Sequence, residues 1–449
     1  MNDWLQAEQH VERAHEFFEA NRLSEAESEL REAISLCPFR AEWHFNLGLT
    51  LEATGRRREA VAAFRDAHRL EPGESQAPLL IGVNLLRAEN ADAEDLAEAS
   101  RWLDEAATTE SAKADATVHL IEVHARRGEH DQAEVSFYLA LQMEDADHAL
   151  AYVNIADSLC DRGAHERAAA ALREAVQLDP SMPGVYARLA GVYAALGRHD
   201  RARRLFLREL RQSPGDLDAL LDLGCLLIEM HRPAEAAEKF RRVLEIESDN
   251  ADAHYELGVL ALSENRLDEA RRSLRLVLRL DPGDHRARRR LADVHSRAGR
   301  HREAQVILTE QARTLRDAPD GFTLDDRAEL GRMLLNAGRP NEAADVLSPV
   351  VCDRDDDPSL WRALSVALLR SGRRADGMRA ARRERRLTPG SLPAMHNIAM
   401  ALLEENQLAR AAVWIRRGLR AAPDDPGLKR LRRRLGWARL ARAFGAARS

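Results

Sequence analysis

The sequence predicts an all-α fold, an α-solenoid of about twelve tandem helix–turn–helix repeats closed by a C-terminal helix. Three observations predict it. A small residue recurs in phase at Ala26, Ala60, Ala99, Ala133, Ala168, Ala202, Ala236, Ala270, Ala304, Ala343, Gly377 and Ala411. The spacing is 34 residues except for one step of 35 and two of 39. Five residues before most of these markers stands Gly55, Gly128, Gly163, Gly197, Gly299, Gly338 or Gly372, or else Asn21, Asn265 or Asn406. Prolines close many of the units, at Pro38, Pro72, Pro180, Pro214, Pro282, Pro389 and Pro423.

Each element has a physical reason. The marker must be small because two helix backbones cross there, and a larger side chain would push them apart. Glycine and asparagine enter the left-handed conformation that ends a helix. His231 breaks that turn pattern and is followed by Pro233, a residue suited to a helix start. The unit Ala41–Pro72 shows the whole design. Trp43, Leu47 and Leu51 give its first helix an inner face, and Gly48 admits a neighbour closely. Ala60, Phe64 and Ala67 do the same for the second helix, which Pro72 stops.

That pattern resembles the tetratricopeptide repeat, in which a leucine and glycine, then alanine, phenylalanine and proline, recur over about 34 residues. The resemblance implies a right-handed superhelix across residues 1–425, with repeats near 7–40, 41–74, 75–113, 114–148, 149–182, 183–216, 217–250, 251–284, 285–323, 324–357, 358–391 and 392–425. Two of them carry five extra residues, around Asn90 to Asp95 and around Arg316 to Thr323. The second insertion holds Pro319 and Gly321 and is expected to form a short loop or a hinge. Residues 426–449 read as a basic capping helix and tail. There Leu428, Leu431 and Leu435 share one face, Trp437, Leu440 and Phe444 the other, and Gly436 stands between them as a residue that can kink or end the helix.

Composition fits a repeat array: 45% of residues are apolar, 31% charged and only 5% aromatic. Net charge is −7, but residues 1–150 carry −17 and the remainder +10. The segment 426–449 has eight basic residues and no acid. Cys37, Cys160, Cys225 and Cys352 lack any paired spacing, so they read as small buried hydrophobes and neither disulfides nor metal ligands are expected. The N-terminus lacks the basic and apolar regions of a signal peptide, and no run approaches the length of a membrane span; a cytoplasmic protein is expected.

Catalysis finds no support. Nucleotide-binding glycine loops, G-x-S-x-G and H-E-x-x-H are all absent from the sequence. His119 and His124, or His295 and His301, lack the i, i+4 spacing of helical metal ligands, and Asp355, Asp356 and Asp357 read as a solvated turn. No catalytic site, metal or cofactor is expected.

Binding is better motivated. The resemblance implies a concave groove lined by the first helix of every repeat and offered to protein or peptide partners. Its surface would include Glu8, Glu12, Glu42 and Asn46, then His119, Glu122, Asn154, Asp157 and Arg188. Asp218, Asp222, Asp252, Tyr255 and Glu256 follow. The sign then changes at Arg286, Arg289, Arg290 and Arg297, continuing with Arg332, Arg362 and Arg370. A groove acidic over most of its length and basic near one end would orient a charged extended segment. The carboxylate clamp of chaperone-binding relatives is not reproduced: Asn154 and Arg188 match it, but Val118, Glu122 and Gly184 replace its other members. A ladder of groove asparagines is reduced to Asn46, Asn154 and Asn397. The expectation is a non-enzymatic scaffold or adaptor. The alternatives are association with nucleic acid, against which stands the lack of aromatics interleaving the arginines, or recruitment to a membrane surface through the tail. Self-association through acidic N-terminal repeats and the basic ninth repeat is a further expectation.

Overall fold

A computed structural model describes residues 2–73 and 76–446, except for the side chains of residues 2, 320 and 441–446. It divides into two compact units, residues 1–239 and 240–449, and the division falls within a helix.

The first unit holds α1 (Asn2–Glu19), α2 (Leu23–Leu36), α3 (Ala41–Ala53), α4 (Arg57–Leu70), α5 (Gln76–Leu86), α6 (Ala93–Ala106), α7 (Lys113–Arg126), α8 (His130–Ala140), α9 (His148–Asp161), α10 (His165–Leu178), α11 (Val185–Ala195), α12 (His199–Gln212), α13 (Leu217–Glu229) and the start of α14 (Pro233–Ile246). The second holds the rest of α14, then α15 (Ala251–Ser263), α16 (Leu267–Leu280), α17 (His285–Arg297), α18 (His301–Asp317), α19 (Leu324–Asn336), α20 (Pro340–Asp353), α21 (Pro358–Arg370), α22 (Arg374–Leu387), α23 (Leu392–Glu404), α24 (Leu408–Ala421) and α25 (Pro426–Ala446). Among the described residues there is no strand. Odd and even helices pair across short turns, and first helices of successive pairs also touch, as α7 does α9 and α21 does α23. Each unit therefore has one face built of first helices.

The markers sit where the helices cross. Eleven are alanines with at most 2% of their surface exposed, and Gly377 is buried too. Gly48 shows why size matters: a Cβ there would lie 2.5 Å from Phe64 Cε1, and Phe64 is wholly buried. Asp216, Asn250 and Asp284 accept backbone N–H bonds from Ala219, Ala253 and Ala287, capping α13, α15 and α17 at one-repeat intervals.

The turns differ from the sequence expectation at one place. His231 is no exception, since its φ of 57° matches Asn265 and Asn406. A side chain costs roughly 1–2 kcal/mol in that conformation. His231→Gly is therefore expected to raise stability by about 0.5–1 kcal/mol, visible as a higher urea midpoint at unchanged slope.

Both insertions are structured. The first lengthens the α5–α6 turn, with Asn90 at φ 56°, and Asp92 and Asp95 form a reciprocal capping box at the start of α6. The second is packed rather than loose. α18 runs for 17 residues against 14 in α16, and a 3-10 turn follows at Pro319–Gly321. Phe322 is buried and stacks on His285 at 3.9 Å between centroids, while Arg327 donates to the Pro319 carbonyl.

The C-terminal helix caps the second unit. Leu428, Leu431 and Leu435 are buried with Ile415 of α24, and Leu428 fills the space left open by Gly418. Gly436 does not end the helix, which continues to Ala446. Trp437 and Leu440 are exposed; the Phe444 side chain lies outside the described residues. No cysteine is in a disulfide, yet only Cys37 and Cys160 are even half-buried. Cys225 and Cys352 point outward, because their helical positions face away from the pair interface.

Candidate functional site

In the first unit, the first-helix face opens with an acidic edge. Glu8, Glu12 and His15 fall at i, i+4 and i+7 on α1, and Glu42, Asn46 and Leu49 at the equivalent places on α3. Between these helices lies a recess of about 70 Å³ lined by Ala14, His15, Phe18, Leu30, Asn46, Leu49 and Thr50. Phe18 is 39% exposed there. Among the described residues Glu8, Glu12 and Glu42 have no ion pair and the Asn46 side chain has no hydrogen bond. An apolar recess with unpaired carboxylates further along the same helix faces can hold an apolar side chain flanked by basic ones. The sequence pattern named the acids and Asn46 but missed His15, Phe18 and Leu49, although the 3.6-residue period already placed them on the same faces.

Further along that face, charges from α7, α9 and α11 converge. Arg188 donates to Asp157 at 2.5 Å. Glu122 is half-buried, and burial raises its pKa against the pull of Arg126, Arg87 and Arg188. His119 beside it is pushed down to about 4, by burial first and then by Arg87, so it is neutral at pH 7. Asn154 is not available to a ligand. It is 4% exposed and donates its amide to the Val118 carbonyl at 3.0 Å, so it locks α9 to α7. Asp222 and Asp218 are exposed on α13, and burial, then Asp218 and Asp216, raises the Asp222 pKa.

The basic block of the second unit is largely neutralised from within. Arg286 pairs with Asp252 at 3.1 Å and lies over the Tyr255 ring at 4.9 Å. Arg290 pairs with Glu329 at 3.0 Å, and Arg297 with Asp293 at 2.9 Å. Arg362 donates to the buried Glu384 at 2.9 Å. Arg332 donates to Ser359, whereas Arg370 has no ion pair among the described residues. Arg289 is not on the open face at all: it is 5% exposed and bridges Asp326 and Glu329. Glu256 is half-buried, and its pKa is raised by burial against the effect of Arg286. The reversal of sign read from Arg286–Arg297 is therefore mostly internal bracing. Opposite charges one repeat apart, such as Arg286 and Asp252, were the signal available for it. Asn397 is likewise buried and bonded to Ser365.

A second set of buried polar groups escaped the sequence pattern. Seven residues after the marker, where most repeats have Ala or Val, stand Glu209, Gln311 and Glu384, each at most 1% exposed. Glu209 accepts the N–H groups of Gly184 and Tyr186 at the start of α11. Gln311 donates to the His285 carbonyl, and Glu384 accepts from Arg362 and the Ser391 hydroxyl. Among the described residues no group of three or more His, Cys, Asp or Glu is placed to hold a metal ion, and no helix is long and apolar enough to cross a membrane.

Comparison with known proteins identifies the class. Two family profiles, both described as tetratricopeptide repeat, match the chain: one over residues 11–75 and 221–285, the other over 159–223 and 261–324. Between them they span just over half of the sequence. The chain belongs to the tetratricopeptide repeat family. No curated protein matches it in sequence. Similar solved structures include yeast Tom70, at 13% identity over 99% of this chain and 97% of that one, with a TM-score of 0.41. A tetratricopeptide repeat protein from Parabacteroides merdae is 17% identical over 57% of this chain and 98% of its own, with a TM-score of 0.47. MamA from Desulfovibrio magneticus is 23% identical over 38% of this chain and 98% of its own, with a TM-score of 0.36.

Proposed function

We propose that the chain is a non-enzymatic scaffold that binds segments of partner proteins on its first-helix faces, and that the α1–α3 end of the first unit is the principal site. One observation carries this reading: the helix faces that line the recess beside Phe18 and Leu49 also bear Glu8, Glu12 and Glu42, which have no ion pair among the described residues. The best partner is a basic segment with one apolar anchor, which buries the anchor and meets Glu8, Glu12 and Glu42 with arginine or lysine. The groove arginines of the second unit are poorer candidates, because Arg286, Arg289, Arg290, Arg297 and Arg362 already have carboxylate partners. The same pairing occupies Arg286, Arg289, Arg290 and Arg297 and so weakens the case for self-association or phosphate binding at the ninth repeat.

Selection from a random peptide library on the immobilised full chain tests the site. Enriched peptides are expected to place basic residues around a leucine, methionine or phenylalanine. Their affinity should fall at least about tenfold in the triple variant Glu8→Lys, Glu12→Lys, Glu42→Lys, since rim charge pairs of 0.2–1 kcal/mol each are reversed and not merely removed. Peptides that bind the variant as tightly as the parent would place the site elsewhere.

A further inference from the structure

α25 carries more than a cap requires. Its inner face is spent on Leu428, Leu431 and Leu435, none more than 6% exposed. Its outer face bears Trp437, 74% exposed, and Leu440, 51% exposed. Arg430, Arg433, Trp437 and Leu440 stand at i, i+3, i+7 and i+10. At roughly 100° per residue they share an arc of about 80° directed away from the leucines. Arg430, Arg432, Arg433 and Arg439 are exposed and have no ion pair among the described residues. Lys429, by contrast, is held by Asp424 at 2.8 Å, and Arg434 lies 3.9 Å from Glu404. No acid occurs between residues 426 and 449 to balance them.

We propose that this outer face of α25 docks the protein on an anionic lipid surface. Arg430 and Arg433 bond headgroup phosphates, for which the guanidinium fork is suited. Trp437 and Leu440 enter the interfacial layer, where an indole finds an apolar body and a wet edge together. The stripe is convex and about one side chain wide. Such a shape seats in a fluid interface, whereas a folded acidic partner would need a matching recess and would gain little from two isolated apolar residues. With no lipid chain attached, binding of this kind is reversible and depends on charge and insertion together. The inference stands on residues remote in sequence from the α1–α3 recess and does not depend on it.

Co-sedimentation of the full-length protein with vesicles tests it. Vesicles of phosphatidylcholine alone are compared with vesicles in which half the lipid is phosphatidylglycerol. Binding is expected only to the anionic vesicles, and to weaken as salt is raised. Arg430→Gln with Arg433→Gln should lower partitioning about 25-fold, two charges at about fivefold each. Trp437→Ser should abolish the part that survives high salt. All three side chains are exposed, so thermal unfolding of the variants should match the parent. Equal binding to neutral and anionic vesicles, no binding to either, or variants that bind like the parent would each overturn the proposal. So would tighter binding to duplex DNA than to the anionic vesicles at the same salt, which would mark a general polyanion surface.

Discussion

Phe64→Ala is expected to destabilise the first unit by about 3–5 kcal/mol, the range for emptying a fully buried aromatic site. The ring fills the space that Gly48 leaves, touches Phe45 at 5.3 Å between centroids, and joins the packing of α3 to that of α4. Because a Cβ at position 48 would stand 2.5 Å from the ring, Gly48→Ala should also destabilise, by about 1–3 kcal/mol through overpacking. The two changes compensate each other: in the double variant the methyl enters the vacated space, so the loss falls short of the sum. Guanidinium unfolding of the four proteins measures this coupling. Strict additivity would mean that glycine and ring do not share the contact. A repeat array makes the loss local, since each pair leans only on its neighbours, so amide exchange should rise first in α3 and α4.

Arg289→Ala should cost about 2–4 kcal/mol near neutral pH. The guanidinium is buried and bridges two carboxylates, and its loss leaves Asp326 without a cationic partner and Glu329 with Arg290 alone. Both acids keep some water contact, which holds the figure below that of a fully buried pair. The cost should depend on pH in a defined direction. Burial opposes ionisation of Asp326, but the Thr323 hydroxyl and backbone N–H, together with Arg289, outweigh it and hold its pKa below the usual value. A depressed carboxylate pKa contributes stability that is present above the unfolded-state value of about 3.9 and is lost as pH falls through the folded one. The difference between variant and parent should therefore be full above about pH 5 and shrink toward pH 3. A difference that stays constant with pH would show that Arg289 acts through packing of its methylenes alone.

Much of the fold was legible because it rests on volume and backbone handedness, which repeat with the sequence. Small residues at Ala60 or Ala168, large ones at Phe64 or Leu172, and left-handed residues at Gly55 or Asn265 each report directly on a local requirement. His231 stood outside the glycine and asparagine pattern, and sequence alone did not show that its backbone takes the same left-handed turn. The 316–323 insertion was read as a short loop or a hinge because sequence shows Pro319 and Gly321 but not that Phe322 finds His285. The candidate site was legible only in part. Composition revealed an acidic end and a basic block, but whether a charge is available depends on what stands opposite it. Arg286 and Asp252 are 34 residues apart and meet only once α15 and α17 lie side by side. Asn154 failed for a similar reason, since an amide aimed at a neighbouring carbonyl has the same sequence signature as one aimed at a ligand.

Glu209, Gln311 and Glu384 bear on a hazard peculiar to chains built from near-copies of one unit. A helix that serves equally well in any slot can be assembled in the wrong one, and Ala- or Val-bearing positions offer no objection. These three do. Set one repeat out of place, Glu209 would lose the two N–H groups at the start of α11 and bury a bare carboxylate, which is far more costly than a misplaced methyl. Each acts as a key cut for one lock, giving the array addresses along its length that the ruler of small residues cannot supply.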